Sequence, residues 1–75
     1  MEDKKYEVKI NQGIWRHFKG ELYETIDVVY NSENAEPMVL YRSLKDKTLW
    51  VRPVHEFFNT VETENYTGPR FVKEK

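Results

Sequence analysis

Residues 49–58, LWVRPVHEFF, carry the most informative pattern in the chain. Large side chains alternate at its start, as in a β-strand, where successive side chains point to opposite faces. Pro53 lacks a backbone N–H and cannot continue a hydrogen-bonded ladder, but its fixed φ suits the first turn of a helix. The stretch therefore predicts a strand that ends at Pro53 and passes into one helical or 3₁₀ turn, VHEFFN.

Four further strands are predicted on either side of this stretch. They are IWRHF at 14–18, LYETIDVVY at 22–30 and MVLYRSL at 38–44 before it, and TVETE at 60–64 after it. Each is rich in β-branched and aromatic residues, which suit a pleated, half-buried surface. The segments between them, NQG, KGE, NSENAEP and KDK, have the composition of turns and loops.

Five short strands, one helical turn before the last of them and no long helix predict a mainly β fold. Because closure removes sheet edges, we expect a small five-stranded SH3-like barrel over residues 13–72. An OB-type barrel is not favoured, because it usually carries a longer helix between its third and fourth strands and this sequence predicts none. Residues 1–12 are expected to form an N-terminal arm or an edge strand, since Tyr6, Val8 and Ile10 alternate. Residues 73–75 form a tail.

Composition narrows the classes of function. The chain has 75 residues, 39% of them hydrophobic and 15% aromatic, so it is one domain and not a disordered segment. Its net charge of −1 makes nucleic acid an unexpected partner. Without cysteine it has no disulfide and no zinc–thiolate site. No segment has the length of a signal peptide or membrane span, and we expect a cytoplasmic protein without a cofactor.

Several motifs resemble a bacterial family known as domain of unknown function 1653. They are RHFKGELY at 16–23, EPMVLYRSL at 36–44, LWVRP at 49–53 with Phe57 after it, and PRF at 69–71. The resemblance implies an SH3-like barrel and no established activity. It also implies that Phe57, which matches the family's Phe, is buried in preference to Phe58. Glycine is common in the family around Asp27 and Ala35, so its absence here implies a less tight local bend.

The predicted hairpin of residues 38–53 separates two faces. If its strands pair antiparallel through the KDK turn, Leu44 faces Leu49 and Tyr41 faces Arg52. One face then carries Leu40, Leu44, Leu49 and Val51 with Arg42, and the other carries Val39, Tyr41, Ser43, Trp50 and Arg52. We interpret the leucine face as core.

The second face suggests a binding surface. Trp50, Tyr41 and Arg52 can form an aromatic–guanidinium platform that stacks a planar group, holds a cation or docks an extended peptide. Alternatively, Trp50 covers the barrel under the N-terminal arm with Arg52 stacked on it. RHFKG adds Arg16 and Lys19 as candidates for contact with phosphate or carboxylate. The alternative there is a charged strand and turn with Phe18 in the core.

Catalysis and metal binding have less support. His17 and His55 are the two histidines, and no third ligand is recognisable beside either. Arg70 and Phe71 suggest that the chain returns to the barrel, with Arg70 near an acidic residue such as Glu36.

We therefore expect a non-catalytic binding module that uses Tyr41, Trp50, Arg52, Arg16 and Lys19. Its partner would be a protein, a peptide, or a small planar or anionic ligand. The alternative is a small enzyme or nucleotide-handling protein that uses His17, His55 and a carboxylate.

Overall fold

The computed structural model describes residues 8–74 as antiparallel β structure with one short helix. The strands are β1 Gly13–His17, β2 Leu22–Tyr30, β3 Pro37–Ser43, β4 Leu49–Pro53, β5 Thr60–Glu62, β6 Thr67–Pro69 and β7 Phe71–Lys73, and the helix is α1, Val54–Phe57. The predicted mainly β class is confirmed, and so is the helical turn directly after Pro53. Within these residues, no helix has the length and apolar character needed to cross a membrane.

The strands form two sheets and not the closed barrel expected from the sequence. One sheet has the order β4-β3-β2-β1-β7, and β5 pairs with β6 in a separate two-stranded sheet. In the expected barrel β5 would be the last strand and complete the closure. Instead it forms a hairpin with β6, so that β4 and β7 remain the edges of the five-stranded sheet.

The C-terminal segment returns to the sheet as Arg70 and Phe71 led us to expect, since His17 on β1 lies opposite Phe71 on β7. The strand extends one residue into the expected tail, because Lys73 lies opposite Trp15. Of the two alternatives for residues 1–12, an arm or an edge strand, residues 8–12 form no strand, and residues 1–7 lie outside the described residues.

Aromatic side chains build the core. Its buried hydrophobic members are Trp15, Val39, Tyr41, Phe57 and Phe71. Phe57 stacks on Phe71 with ring centroids 4.0 Å apart and meets Trp15 edge to face at 5.5 Å. Phe57 is fully buried, whereas Phe58 is 44% exposed. The predicted burial of Phe57 in preference to Phe58 is confirmed.

The assignment of Leu49 and Val51 to the core is wrong. Both are about half exposed, at 53% and 50%, whereas Tyr41 on the opposite face of the hairpin is buried. The two faces alternate as predicted, but α1 lays Phe57 on the aromatic face, with its ring 5.4 Å from that of Tyr41. A sheet with one helix to cover it buries the side with the larger rings, and its aliphatic side becomes the outer face.

The register of the hairpin also differs, by two residues. Tyr41 lies opposite Trp50 rather than Arg52, and Leu49 lies opposite Arg42 rather than Leu44. A shift of two residues keeps every side chain on its face, because the side-chain period of a strand is two. The composition of the two faces was therefore predicted correctly even though the partners were not.

Near Asp27 and Ala35, where glycine is absent, the backbone is irregular. The pairing of β2 with β3 shifts register between Thr25 and Asp27, which marks a bulge. Ala35, in the following loop, adopts a left-handed backbone with φ of 60°. The predicted turn around Gly20 is confirmed, with φ of 106° and a hydrogen bond from Gly20 N–H to the His17 carbonyl at 2.7 Å.

Candidate functional site

A small cleft opens on the aromatic face of the five-stranded sheet. Its volume is about 140 Å³, and the residues that line it are His17, Tyr23, Tyr41, Trp50, Arg52 and Phe71. These residues come from all five strands of the sheet, since β1, β2, β3, β4 and β7 contribute to the lining. The cleft therefore exists only when the whole sheet is assembled.

The inner wall consists of rings that hold one another in place. Tyr23 and Tyr41 meet edge to face with centroids 5.3 Å apart, and Tyr41 meets Phe71 in the same way at 5.6 Å. Trp50 forms the outer wall and is 51% exposed. Aromatic pairs of this geometry stabilise each other beyond their buried area. The cleft thus has a fixed floor and one large ring that solvent can reach.

Arg52 supplies a positive charge to the cleft. Its Nε donates a long hydrogen bond of 3.4 Å to the Tyr41 hydroxyl. Its Nη1 lies 4.0 Å from Oε1 of Glu56, and its side chain is only 30% exposed. An ion pair at this distance is weak, so the guanidinium is oriented by its neighbours more than it is neutralised by them.

His17 is held as a neutral imidazole at the other side. The backbone N–H of Lys19 donates to Nδ1 of His17 at 3.1 Å, which leaves the ring proton on Nε2. Burial lowers the pKa of His17 below its ordinary 6.5, and the positive charges of Arg52, Arg70 and Lys19 lower it further. The charge of Glu21 acts in the opposite direction, so three cations and one carboxylate act on this imidazole.

Tyr23 is hydrogen-bonded to a carboxylate. Its hydroxyl donates to Oε1 of Glu21 at 2.9 Å. Burial, followed by this hydrogen bond and the charge of Glu21, raises the pKa of Tyr23 to about 12. The phenol therefore remains protonated at neutral pH and holds the Glu21 carboxylate beside it.

Three of the five residues predicted to bind a ligand meet in this cleft, namely Tyr41, Trp50 and Arg52. The sequence interpretation treated Tyr41 as part of an exposed platform, whereas its ring is buried and only lines the cleft. Tyr23 and Phe71 were missed. The signal for Tyr23 was the RHFKGELY motif, and that for Phe71 was the PRF motif, whose Phe71 pairs with His17 once β7 joins the sheet.

Arg16 and Lys19 lie outside the lining of the cleft. Nε of Arg16 forms an ion pair with Oε2 of Glu74 at 2.9 Å, and its Nη1 donates to the Gly20 carbonyl at 3.0 Å. Nζ of Lys19 lies 5.9 Å from the centroid of the Phe18 ring. Lys19 still acts on His17 through its charge. The structure therefore separates Arg16 from the platform residues.

The two histidines have different surroundings. His55 lies on α1 with its side chain 72% exposed, 3.6 Å from a carboxylate oxygen of Glu36 and 4.0 Å from one of Glu56. It is not among the residues that line the cleft with His17. Across residues 8–74, no group of three or more His, Cys, Asp and Glu side chains is arranged to hold a metal ion.

Arg70 does not meet Glu36 as expected. Its Nε donates to Oδ1 of Asn59 at 3.0 Å, and its backbone N–H donates to the Asn59 carbonyl at 3.0 Å. Arg70 therefore joins the C-terminal segment to the connection between α1 and β5.

Fold and site together define a small antiparallel β domain with an aromatic and basic cleft. The chain belongs to the family described as protein of unknown function DUF1653, whose model matches residues 13–73. It is similar to the crystal structure of a family member from Bordetella bronchiseptica, with a TM-score of 0.78 and 26% sequence identity over 87% of each chain. No curated protein matches the chain significantly. The family resemblance seen in the sequence is confirmed.

Proposed function

We propose that the domain is a non-catalytic binding module whose cleft holds a planar, anionic group. The observation that carries the proposal is the meeting of Trp50, Arg52 and the buried rings in one cleft of about 140 Å³. Small β domains often serve as binding modules, but that analogy alone does not give a function.

The size of the cleft limits the ligand to about one ring. A protein cavity of about 150 Å³ accommodates a molecule the size of benzene. A nucleotide or an extended peptide needs several times that volume and would reach far outside. The part of the ligand that enters is therefore a single flat group, and Trp50 offers a face on which it can stack.

The charge of the cleft favours an anion. Arg52 lines it, and at His17 the charges of Arg52, Arg70 and Lys19 outnumber that of Glu21. A guanidinium binds a carboxylate through two parallel hydrogen bonds, which also fixes the plane of the ligand. The chemistry that fits is an aromatic or conjugated carboxylate, either as a free small acid or as the terminal group of a larger ligand.

Nuclear magnetic resonance titration tests this assignment directly. Benzoate is the probe, with benzamide as the uncharged control and cyclohexanecarboxylate as the non-planar control. Benzoate should shift the Trp50 indole N–H and the Arg52 Nε–H resonances, while Trp15, whose indole is buried, serves as an internal reference. Equal shifts with all three probes, or shifts that map outside the cleft, would overturn the proposal.

A pair of arginine variants provides the matched control. Arg52→Gln should weaken benzoate binding at least tenfold, because one charge-assisted contact contributes about 1.5–3 kcal/mol. Arg16→Gln removes the same charge from the ion pair with Glu74 outside the cleft. Its binding should equal that of the unmodified chain. Equal loss in both variants would mean that only the overall charge matters.

A tethered ligand separates the two sources of the carboxylate. If a peptide that carries an N-terminal 4-carboxybenzoyl group, with its free carboxylate directly on the ring, binds more tightly than benzoate, the natural ligand extends beyond the cleft. If benzoate binds at least as tightly, a free small acid is the better match. If neither shifts the cleft resonances, the assignment to a carboxylate is wrong.

A further inference from the structure

The outer edge of β4, on the side away from β3, is unusually apolar for an edge that no described strand pairs with. Leu49, Trp50 and Val51 follow one another and are 53%, 51% and 50% exposed. Strands with apolar side chains on both faces are typical of positions buried on both sides. Isolated proteins usually protect such an edge with charge, proline or a bulge. Here the protective residues, Arg52 and Pro53, come only at its end.

The outward side of β4 has backbone groups available for pairing. Among the described elements, β3 and α1 are the ones in extensive contact with β4. The Ser43 N–H donates to the Thr48 carbonyl at 2.9 Å, and these residues are opposite in the register of the hairpin. Since hydrogen-bonded pairs alternate in an antiparallel ladder, Trp50 and Arg52 bond to β3, while Leu49 and Val51 point their N–H and C=O groups away.

The position of Pro53 is consistent with this alternation of hydrogen-bonded pairs. It lies opposite Met38, at a position where the alternation directs the backbone away from β3. A proline there removes no hydrogen bond from the ladder. The free edge thus consists of the backbone groups of Leu49 and Val51, with apolar side chains on both faces.

We propose that β4 pairs antiparallel with β4 of a second copy of this chain, about a two-fold axis at Trp50. In that register Leu49 lies opposite the partner's Val51, so every outward backbone group of these two residues gains a partner. A two-fold interface uses the same patch on both copies, which requires a self-complementary strand. The uncharged run of residues 49–51 meets this condition.

The flanking charges are compatible with the pairing. In the same register Arg52 lies opposite the partner's Thr48, and Lys47 lies opposite the partner's Pro53. Like charges directly opposite each other destabilise a sheet, and here none coincide. On the outer face the half-exposed pair Leu49 and Val51 would meet its symmetry equivalent, so apolar surface becomes covered on both copies.

The pairing goes beyond the proposed ligand site and does not depend on it. Trp50 borders both features, so the two clefts would lie side by side across the axis. A failure of benzoate to bind would leave the strand pairing untouched, since the pairing is measured without ligand.

Analytical ultracentrifugation over about 10 μM to 1 mM tests the association. An interface of one strand pair is small and belongs to the weak class, so dissociation in this concentration range is expected. Val51→Lys places a charge at the centre of the edge and should make the protein monomeric throughout. Val72→Lys is the matched control, because Val72 lies on the other edge strand, β7, with a similar exposure of 46%. Association should survive in Val72→Lys.

Amide hydrogen exchange of the unmodified chain provides a readout that needs no variant. At low concentration Trp50 and Arg52 should be protected by β3 while Leu49 and Val51 exchange freely. At about 1 mM the amides of Leu49 and Val51 should slow by tenfold or more. A monomer at every concentration overturns the proposal. So does association that Val72→Lys abolishes and Val51→Lys does not, or association without protection of Leu49 and Val51.

Discussion

At the scale of single residues, Thr25 shows how a buried polar group can organise an aromatic core. Its Oγ1 accepts hydrogen bonds from the Gly13 N–H at 3.0 Å and from Nε1–H of Trp15 at 3.2 Å. It also lies 3.1 Å from the Asn11 carbonyl, to which it can donate. One hydroxyl therefore satisfies the indole of a buried tryptophan and joins the start of β1 to β2.

Removing this hydroxyl should lower the free energy of unfolding by more than the small size of the group suggests. Thr25→Val keeps the shape but leaves Nε1–H of Trp15 buried without an acceptor, which costs about 1–3 kcal/mol. Thr25→Ser retains the hydroxyl and should lose less. Urea denaturation of the three proteins measures the difference. A Val variant as stable as the Ser variant would contradict the role given to the hydroxyl.

Phe57 and Phe58 provide the clearest contrast between neighbouring residues. Phe57 is fully buried and packed on Phe71, so Phe57→Ala should cost about 3–5 kcal/mol, a large share of the stability of a domain. Phe58→Ala should cost clearly less, because 44% of the residue is exposed. Chemical denaturation gives both values, and Phe57→Leu extends the comparison if the alanine variant does not fold. The reverse order would contradict the orientation of α1.

At the scale of elements, the connections between strands store backbone strain at defined positions. Ala35 has φ of 60°, in the left-handed region, where an L-residue other than glycine pays about 1–2 kcal/mol. Its N–H donates to the Asn31 carbonyl at 2.7 Å, and the Glu36 N–H donates to Oδ1 of Asn34 at 2.9 Å. These hydrogen bonds hold the loop in a conformation that its sequence does not favour.

Glycine at position 35 should therefore stabilise the domain. Ala35→Gly relieves the left-handed strain and loses some of that gain to the flexibility of the unfolded chain, so a net gain of about 0.5–1 kcal/mol is expected. Gly20→Ala is the converse test. Gly20 has φ of 106°, and among the described residues beyond its two chain neighbours no heavy atom lies within 4 Å of the position that an added Cβ would occupy. The cost of about 1–2 kcal/mol would therefore come from the backbone alone. Thermal melts of both variants should move in opposite directions.

The β4 strand shows why an element can be recognised while its role is misjudged. Its limits, the stop at Pro53 and the alternation of faces all follow from local chemistry. Whether Leu49 or Trp50 faces the interior depends on which side α1 covers. That choice is made by the packing of Phe57 against Trp15, Tyr41 and Phe71, which are distant in the sequence.

At the scale of the whole molecule, the positive surroundings of His17 connect charge to stability. Burial lowers its pKa, and Arg52 on β4, Arg70 before β7 and Lys19 after β1 lower it further, against the opposing charge of Glu21. A histidine with a lowered pKa in the folded state binds its proton more tightly when unfolded. Stability that is fully present above pH 6.5 is therefore lost as the pH falls from 6.5 through the lowered pKa.

Stability measured between pH 7.5 and 5 checks this sign. The free energy of unfolding should fall with decreasing pH in the unmodified chain, and His17→Gln should reduce that slope. His55→Gln removes the other histidine, on the exposed face of α1, and serves as the control. If the slope persists in His17→Gln and vanishes in His55→Gln, the pH dependence comes from His55 and the prediction is wrong.

The sequence by itself determined the strands from residue 13 to 62, the helical turn after Pro53, the family and the content of each hairpin face. These depend on local properties: the missing N–H of proline, the period of a strand and the spacing of aromatic residues. Only the tertiary structure decided that the sheet stays open, that the aromatic face is the core and that Phe71 completes the cleft. The physical reason is that long-range packing positions β7 and α1. A strand of three residues such as Phe71–Lys73 is too short for its sequence pattern to predict which strand it pairs with.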